Sequence, residues 1–172
     1  MNASLLAAFL VEKLDQIKGK KAFQKLVYLA MVEGIPLNYS YSMYFYGPYS
    51  ETVAADLERI YRQDVIDQSE GSYIYHRGSL TDQVLQEGSK EIQIYKNELN
   101  RLIQRFGNMS PRELEIYCTA HFVWENQVIF NKPTDRHSVI EEIKKAKFPK
   151  FSISEIERAY DELARWDLIK LS

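Results

Sequence analysis

The chain has 172 residues, 45% of them hydrophobic and 27% charged, with only seven glycines and five prolines; collagen-like and disordered classes are excluded. A chain of this length hides roughly 70% of its extended surface on folding, enough for one sizeable core. Lys and Arg number 22 against 24 Asp and Glu, and division after Leu80 gives 8 against 9 and then 14 against 15, so neither half has the surplus that draws a protein to nucleic acid or an anionic membrane.

The single cysteine, Cys118, excludes an intramolecular disulfide, a zinc ribbon and a redox CxxC pair. The apolar run Leu5 to Val11 is short, has no basic flank before it and is followed by Glu12, Lys13 and Asp15. It reads as an amphipathic helix and not as a signal peptide or membrane span. A reducing cytoplasm is the expected compartment.

Leu6, Leu10, Leu14 and Ile17 recur at helical spacing before Lys18 and Gly19, which predicts a first helix. Phe23, Leu26, Val27 and Ala30 predict a second between Lys20 and Glu33, closed by Gly34 with Pro36 beyond. From Leu37 to Tyr46, aromatic residues among serines favour an extended segment. Gly47 and Pro48 break it, and Ser50 is placed to cap a third helix carrying Val53, Leu57, Ile60 and Tyr61. The strand-like Val65 and Ile66 and a hairpin around Gly71 to Gly78 follow. Helix, short strand and hairpin in that order are the parts of a winged helix.

Leu85, Ile92, Tyr95, Leu99, Leu102 and Phe106 fall near a heptad pattern, which predicts one long helix, weakened at Gly88 and ended at Gly107, and offers a seam for a homodimer. Ser110, Pro111 and Glu113 predict a helix start and a helix to about Asn126. Ser138 with Glu141 and Ser152 with Glu155 have capping-box spacing, predicting a basic helix to Lys147 and a last one to Trp166. Val53, Leu57, Ile60, Asp64, Val65 and Ile66 also match Ile156, Tyr160, Leu163, Asp167, Leu168 and Ile169 at an offset of 103 residues. Periodicity alone explains the first three matches; the shared Asp and aliphatic pair raise the question of a structural echo.

The run from Tyr44 to Ser50 is the least ordinary feature. Tyr44, Tyr46 and Tyr49 form a candidate partner-binding surface, because tyrosine combines large contact area with a hydrogen-bonding tip. The competing reading is an aromatic strand packed on neighbouring helices. Two lysine clusters are candidate phosphate contacts: Lys20, Lys21 and Lys25, beside Lys18, and then Lys144, Lys145 and Lys147, beside Lys150. Solvated lysine faces compete with that reading. The third helix carries Glu51, Asp56 and Glu58 against Arg59 and Arg62, and Ser152 to Asp167 holds five acidic residues against Arg158 and Arg165. Base reading by either helix is disfavoured.

Cys118, His121 and Glu125 fall along one helix face, as a metal pair or a Cys-His nucleophile would require. Leu114, Tyr117 and Trp124 share that stripe, which favours a buried structural face. His76 and His137 have no partners that spacing identifies. No P-loop, GxGxxG, HExxH or GxSxG pattern occurs, so no catalytic residue, metal ligand or cofactor site is assigned.

Phe23-Gln24-Lys25-Leu26-Val27-Tyr28-Leu29, then Tyr44 to Ser50, then the Asp56-Leu57 helix running into Val65-Ile66 resemble the YwgA-like family of uncharacterised prokaryotic proteins. Ser110-Pro111 with Ile116, Ala120 and His121, and the segment Lys150 to Ile169, also look like that pattern. The first half is more distantly similar to the Panacea or SocA-like antitoxin-associated domain. The resemblance implies a mostly helical, winged-helix-like fold without known enzymatic activity; for the Panacea relatives it implies neutralisation of a protein toxin. The second half departs from that domain.

The expectation is a mainly α protein with a minor β component. A winged-helix-like part over residues 1–80 is covered by helices of residues 81–172, in one compact domain overall. The leading function is a non-enzymatic, protein-binding or regulatory module, antitoxin-like in one form. The alternative is a nucleic-acid-binding transcriptional regulator, and an enzyme ranks third.

Overall fold

The structure is a computed structural model and describes residues 1–170. In chain order the elements are α1 (Ala3–Leu14), α2 (Gly19–Val32), β1 (Ser42–Tyr44), β2 (Gly47–Tyr49), α3 (Glu51–Arg62), β3 (Ile66–Gln68), β4 (Tyr75–Arg77), α4 (Thr81–Glu87), α5 (Ser89–Ile94), α6 (Lys96–Phe106), α7 (Pro111–Ile129), α8 (Arg136–Lys147) and α9 (Ile153–Arg165). The protein is mainly α, with two small two-stranded sheets, β1-β2 and β3-β4. The chain forms two compact units. The first holds Met1–Ser42 and Tyr49–Pro111; the second holds Met43–Pro48 and the chain from Arg112 onward.

The first unit is built around α1. Ala3 and every residue from Leu5 to Val11 are buried, because α2, α3, α4, β3 and β4 all pack against this one helix. Asn2 caps it, its side chain accepting from the Leu5 backbone N–H at 2.9 Å. Ile17, between α1 and α2, exchanges two 2.9 Å backbone hydrogen bonds with Tyr75 of β4. β4 pairs antiparallel with β3, Asp67 opposite His76. Helix, bridging residue, two helices and a hairpin that takes the bridge on its outer strand is the winged-helix order. Here α2 and α3 are separated by a long connection that carries β1 and β2.

Gln24 of α2 fixes where that connection ends. Its side chain is buried, and its amide pairs with both polar groups of the Ser50 backbone, donating to the carbonyl at 2.8 Å and accepting from the N–H at 3.0 Å. Ser50 in turn caps α3, accepting from the Val53 N–H at 3.3 Å. Two segments far apart in the sequence, α2 and the end of the Tyr44 to Ser50 run, therefore meet through one side-chain amide. Tyr41 donates to the Gln24 carbonyl at 2.9 Å, Tyr39 donates to Asp56 at 2.6 Å, and Tyr41 meets Tyr28 edge-on at 5.0 Å between ring centres. The early tyrosines of the aromatic run are thus spent on packing within this unit. Glu33, just beyond α2, is buried and takes Arg101 and Arg105 of α6 on its two oxygens at 2.9 and 2.8 Å.

The predicted long helix over Leu85 to Phe106 is three helices. The break at Gly88 has a steric cause: a Cβ there would lie 2.3 Å from Leu5 Cδ1, so α1 approaches the backbone as closely as glycine permits. A second break falls at Tyr95, whose φ of −99° and ψ of 22° leave the helical region. Of the heptad-like residues only Leu99, Leu102 and Phe106 are fully buried.

In the second unit the long helix α7 buries an unbroken run from Leu114 to His121, and α8 packs against α9. Ser152 and Glu155 form the predicted capping box. The start of α8 differs from the expectation: Asp135 is the cap, accepting from the Ser138 N–H at 3.0 Å, because an earlier aspartate satisfies the orphan N–H groups before Ser138 is reached. The echo at an offset of 103 residues is a helix-end motif. Asp64 and Asp167 both have left-handed φ, 55° and 58°. Val65 N–H reaches back to the Ile60 carbonyl as Leu168 N–H does to Leu163. The same closing bond ends α2 at Ile35 and α7 at Lys132, so the likeness comes from a shared stop chemistry.

Candidate functional site

The hairpin tip Met43–Pro48 and the α8–α9 connection, both in the second unit, carry a cluster of exposed aromatic side chains. Phe45 is 89% exposed, Tyr46 58%, Tyr44 51% and Phe148 56%. The Phe45 and Tyr46 rings stand edge to face at 5.7 Å. Met43, Tyr44 and Phe45 face Ala146, Lys147, Phe148, Pro149 and Lys150 around a cavity of about 320 Å³.

The tip is held from below by a buried ionic cluster. Glu115 on α7 is fully buried, and Lys147 at the end of α8 donates to its Oε1 at 2.6 Å with only 3% of the lysine side chain exposed. The same ammonium donates to the Phe45 carbonyl at 3.1 Å. Lys150 closes the cluster, with Nζ at 2.9 and 2.8 Å from the two Glu115 oxygens and 4.7 Å from the centre of the Tyr46 ring. Gly47 turns the chain with φ of 86°, and a Cβ there would fall 2.8 Å from Thr119 Oγ1 and 3.4 Å from Glu115 Cγ. Only glycine fits both the backbone angle and the gap. Arg112 braces the connection, donating to the Lys150 carbonyl at 2.7 Å, pairing with Glu155 and lying 4.3 Å over Phe151. Its guanidinium holds the Glu155 carboxyl down at about 2.

Of the three candidate tyrosines, Tyr44 and Tyr46 lie in this second unit; Tyr49, half-buried, belongs to the first. Of the lysines, Lys20, Lys21 and Lys25 lie in the first unit and Lys144, Lys145 and Lys147 in the second. Lys25 and Lys147 are buried. Lys20 pairs with Glu58 of α3 at 2.7 Å, which raises the lysine's pKa and lowers the glutamate's. Lys144 and Lys145 pair with Glu141 and Glu142 one turn earlier. Phe45 lies within the Tyr44 to Ser50 run, but Phe148, Pro149 and Glu115 carry no motif in the sequence, and Glu115 meets its lysines across 32 and 35 residues. The one legible hint is the apolar pair Phe148-Pro149 interrupting a lysine run.

The Cys118 and His121 face is buried. Burial holds the His121 imidazole down at about 4 and raises Glu125; the His121 ring packs 5.6 Å from Trp124. Among the described residues no group of three or more His, Cys, Asp or Glu side chains is arranged to hold a metal ion, and no helix is long and apolar enough to cross a membrane.

The fold and the tip together describe a mainly helical protein with a winged-helix order in its first unit and an aromatic, lysine-backed cleft in its second. The chain is similar to the uncharacterised protein YwgA of Bacillus subtilis (strain 168), 33% identical over 70 residues, which is 39% of this chain and 42% of that protein. The likeness thus spans less than half the length of the curated relative. No family model matches the chain, and no solved structure does.

Proposed function

We propose that the protein is a non-enzymatic binding module that docks a protein partner on the tip formed by Tyr44, Phe45, Tyr46 and Phe148. The observation that carries this reading is the combination of exposure and fixity. Four large aromatic side chains are half or more exposed, while the backbone beneath them is pinned by the buried Lys147 and Glu115 pair. Aromatic anchors on a preorganised backbone lose little entropy on binding and dominate protein interfaces. A toxin partner is the form this reading takes if the likeness of the first half to the Panacea or SocA-like domain extends to function.

Capture of partners from lysate of the source cell, with nuclease present, tests the proposal. Wild type should retain a stoichiometric protein that Phe45→Ala and Tyr46→Ala variants of unchanged melting temperature lose. Equal retention by all three would overturn it.

One observation favours the second reading, a nucleic-acid-binding regulator: the winged-helix order, with Ile17 bridging to Tyr75 and α3 where such folds place their recognition helix. Against it, Glu58 neutralises Lys20 and Asp56 neutralises Arg59 at 3.1 Å on that helix. Retention of nucleic acid without nuclease, falling steeply with salt, would favour this alternative.

A further inference from the structure

Resting on the protein-docking reading, we infer that the partner seated on the hairpin tip is a second copy of this chain, joined face to face about a twofold axis. The tip carries a knob and a hole side by side. Phe45 projects, 89% exposed, and the cavity of about 320 Å³ opens next to it, walled in part by Met43, Phe45, Ala146, Phe148 and Pro149. A cavity of roughly 150 Å³ already holds a benzene ring, so this one admits a phenylalanine side chain from outside. A twofold interface uses one patch twice, and it closes only where that patch is complementary to itself. Here the Phe45 ring of each copy enters the hole of the other. Because Phe45 is both knob and wall, the two rings meet beside the axis, where an aromatic pair adds to the gain from area alone.

The area matches what a reversible dimer needs. Tyr44, Phe45, Tyr46 and Phe148 are each half or more exposed, and at about 150–250 Å² per aromatic side chain they offer roughly 500 Å². Met43 and the exposed Ala146 and Pro149 bring the uncharged face to about 600 Å², the upper end of what monomers leave open as one patch. Two copies together bury about 1,200 Å², the lower end of the range for specific complexes. The two charged residues of the lining, Lys147 and Lys150, both donate to Glu115, so a ring laid over them takes no ammonium from water without its carboxylate.

Sedimentation equilibrium of the full chain over a concentration series tests the inference. Wild type should pass from monomer to dimer in the micromolar range. Each lost ring should weaken association about tenfold, so Phe45→Ala, which removes two per dimer, should weaken it about a hundredfold. Ala146→Trp, at an exposed position of α8, fills the hole with the knob intact and should also disrupt the dimer. An equimolar mixture of these two variants should associate more tightly than either alone, because the ring of one finds the open hole of the other and the filled hole meets no ring. Phe130→Ser, at the 68% exposed end of α7, should leave the dimer unchanged. A wild type still monomeric at about 100 μM, a dimer insensitive to Phe45→Ala or Ala146→Trp, a dimer lost on Phe130→Ser, or a mixture no tighter than its components would each overturn the inference. A monomer whose lysate capture still depends on Phe45 leaves the docking reading standing with a different protein as partner; that reading fails separately, when capture is insensitive to Phe45→Ala and Tyr46→Ala.

Discussion

Glu115→Gln perturbs the group on which the tip depends. The carboxylate is fully buried and shared by Lys147, 3% exposed, and Lys150, 41% exposed. Removing its charge leaves Lys150 able to turn to water, but it takes the carboxylate away from the Lys147 ammonium inside the protein. Breaking a buried pair from one side costs roughly 3–5 kcal/mol, because the surviving charge stays desolvated. At about 2–4 °C per kcal/mol for a chain of this size, the melting temperature should fall by roughly 10 °C. The paired replacement Glu115→Met with Lys147→Met removes both charges and should recover at least half of that loss, since apolar pairs of similar volume are often no less stable than buried ion pairs. It also removes the bond to the Phe45 carbonyl, so amides of Met43 to Tyr46 should exchange faster in the double variant. Thermal melts followed by circular dichroism, with hydrogen exchange read by mass spectrometry, measure both effects. A Glu115→Gln protein that melts with the wild type, or a double variant no better than the single, would refute the reasoning.

Gln24→Ala should destabilise by about 1–3 kcal/mol in urea unfolding, because it strands the buried Ser50 N–H while the Ser50 carbonyl keeps the Ala54 N–H, whereas Ser50→Ala should cost about 1 kcal/mol, the value of one cap. His121 is held at about 4 in the folded protein against an ordinary value of 6.5. The unfolded chain therefore binds the extra proton first, so stability present above pH 6.5 should decline as the pH falls toward 4, by up to about 3 kcal/mol. Melts of His121→Phe across that window should lack this part of the slope. Gly47→Ala should lower the melting temperature and abolish partner capture together, since a Cβ meets Thr119 and the φ of 86° is strained for alanine.

Local chemistry made much of the fold legible. Helical spacing and Gly34 located α2, Ser50 located the start of α3, and Ser152 with Glu155 located α9, because each signal acts within a few residues of its effect. The expectation of one helix over Leu85 to Phe106 failed where the deciding contact was distant: Leu5 of α1 against the Gly88 backbone. The same boundary runs through the candidate site. Tyr44 and Tyr46 stood out by composition, but which tyrosines are engaged inward depended on Gln24 and Asp56 as partners of Tyr41 and Tyr39. Lys147 and Lys150 read as part of a basic cluster until Glu115, far back in the chain, placed a carboxylate between them.

The central claim is that the hairpin tip is where a protein partner sits. Hydrogen exchange on the captured complex, compared with the protein alone, reads that location directly. The account predicts slowed exchange over residues 43–48 and 146–150 with little change in α3 and the β3–β4 hairpin; slowed exchange confined to α3 and that hairpin, with the tip unchanged, would contradict it.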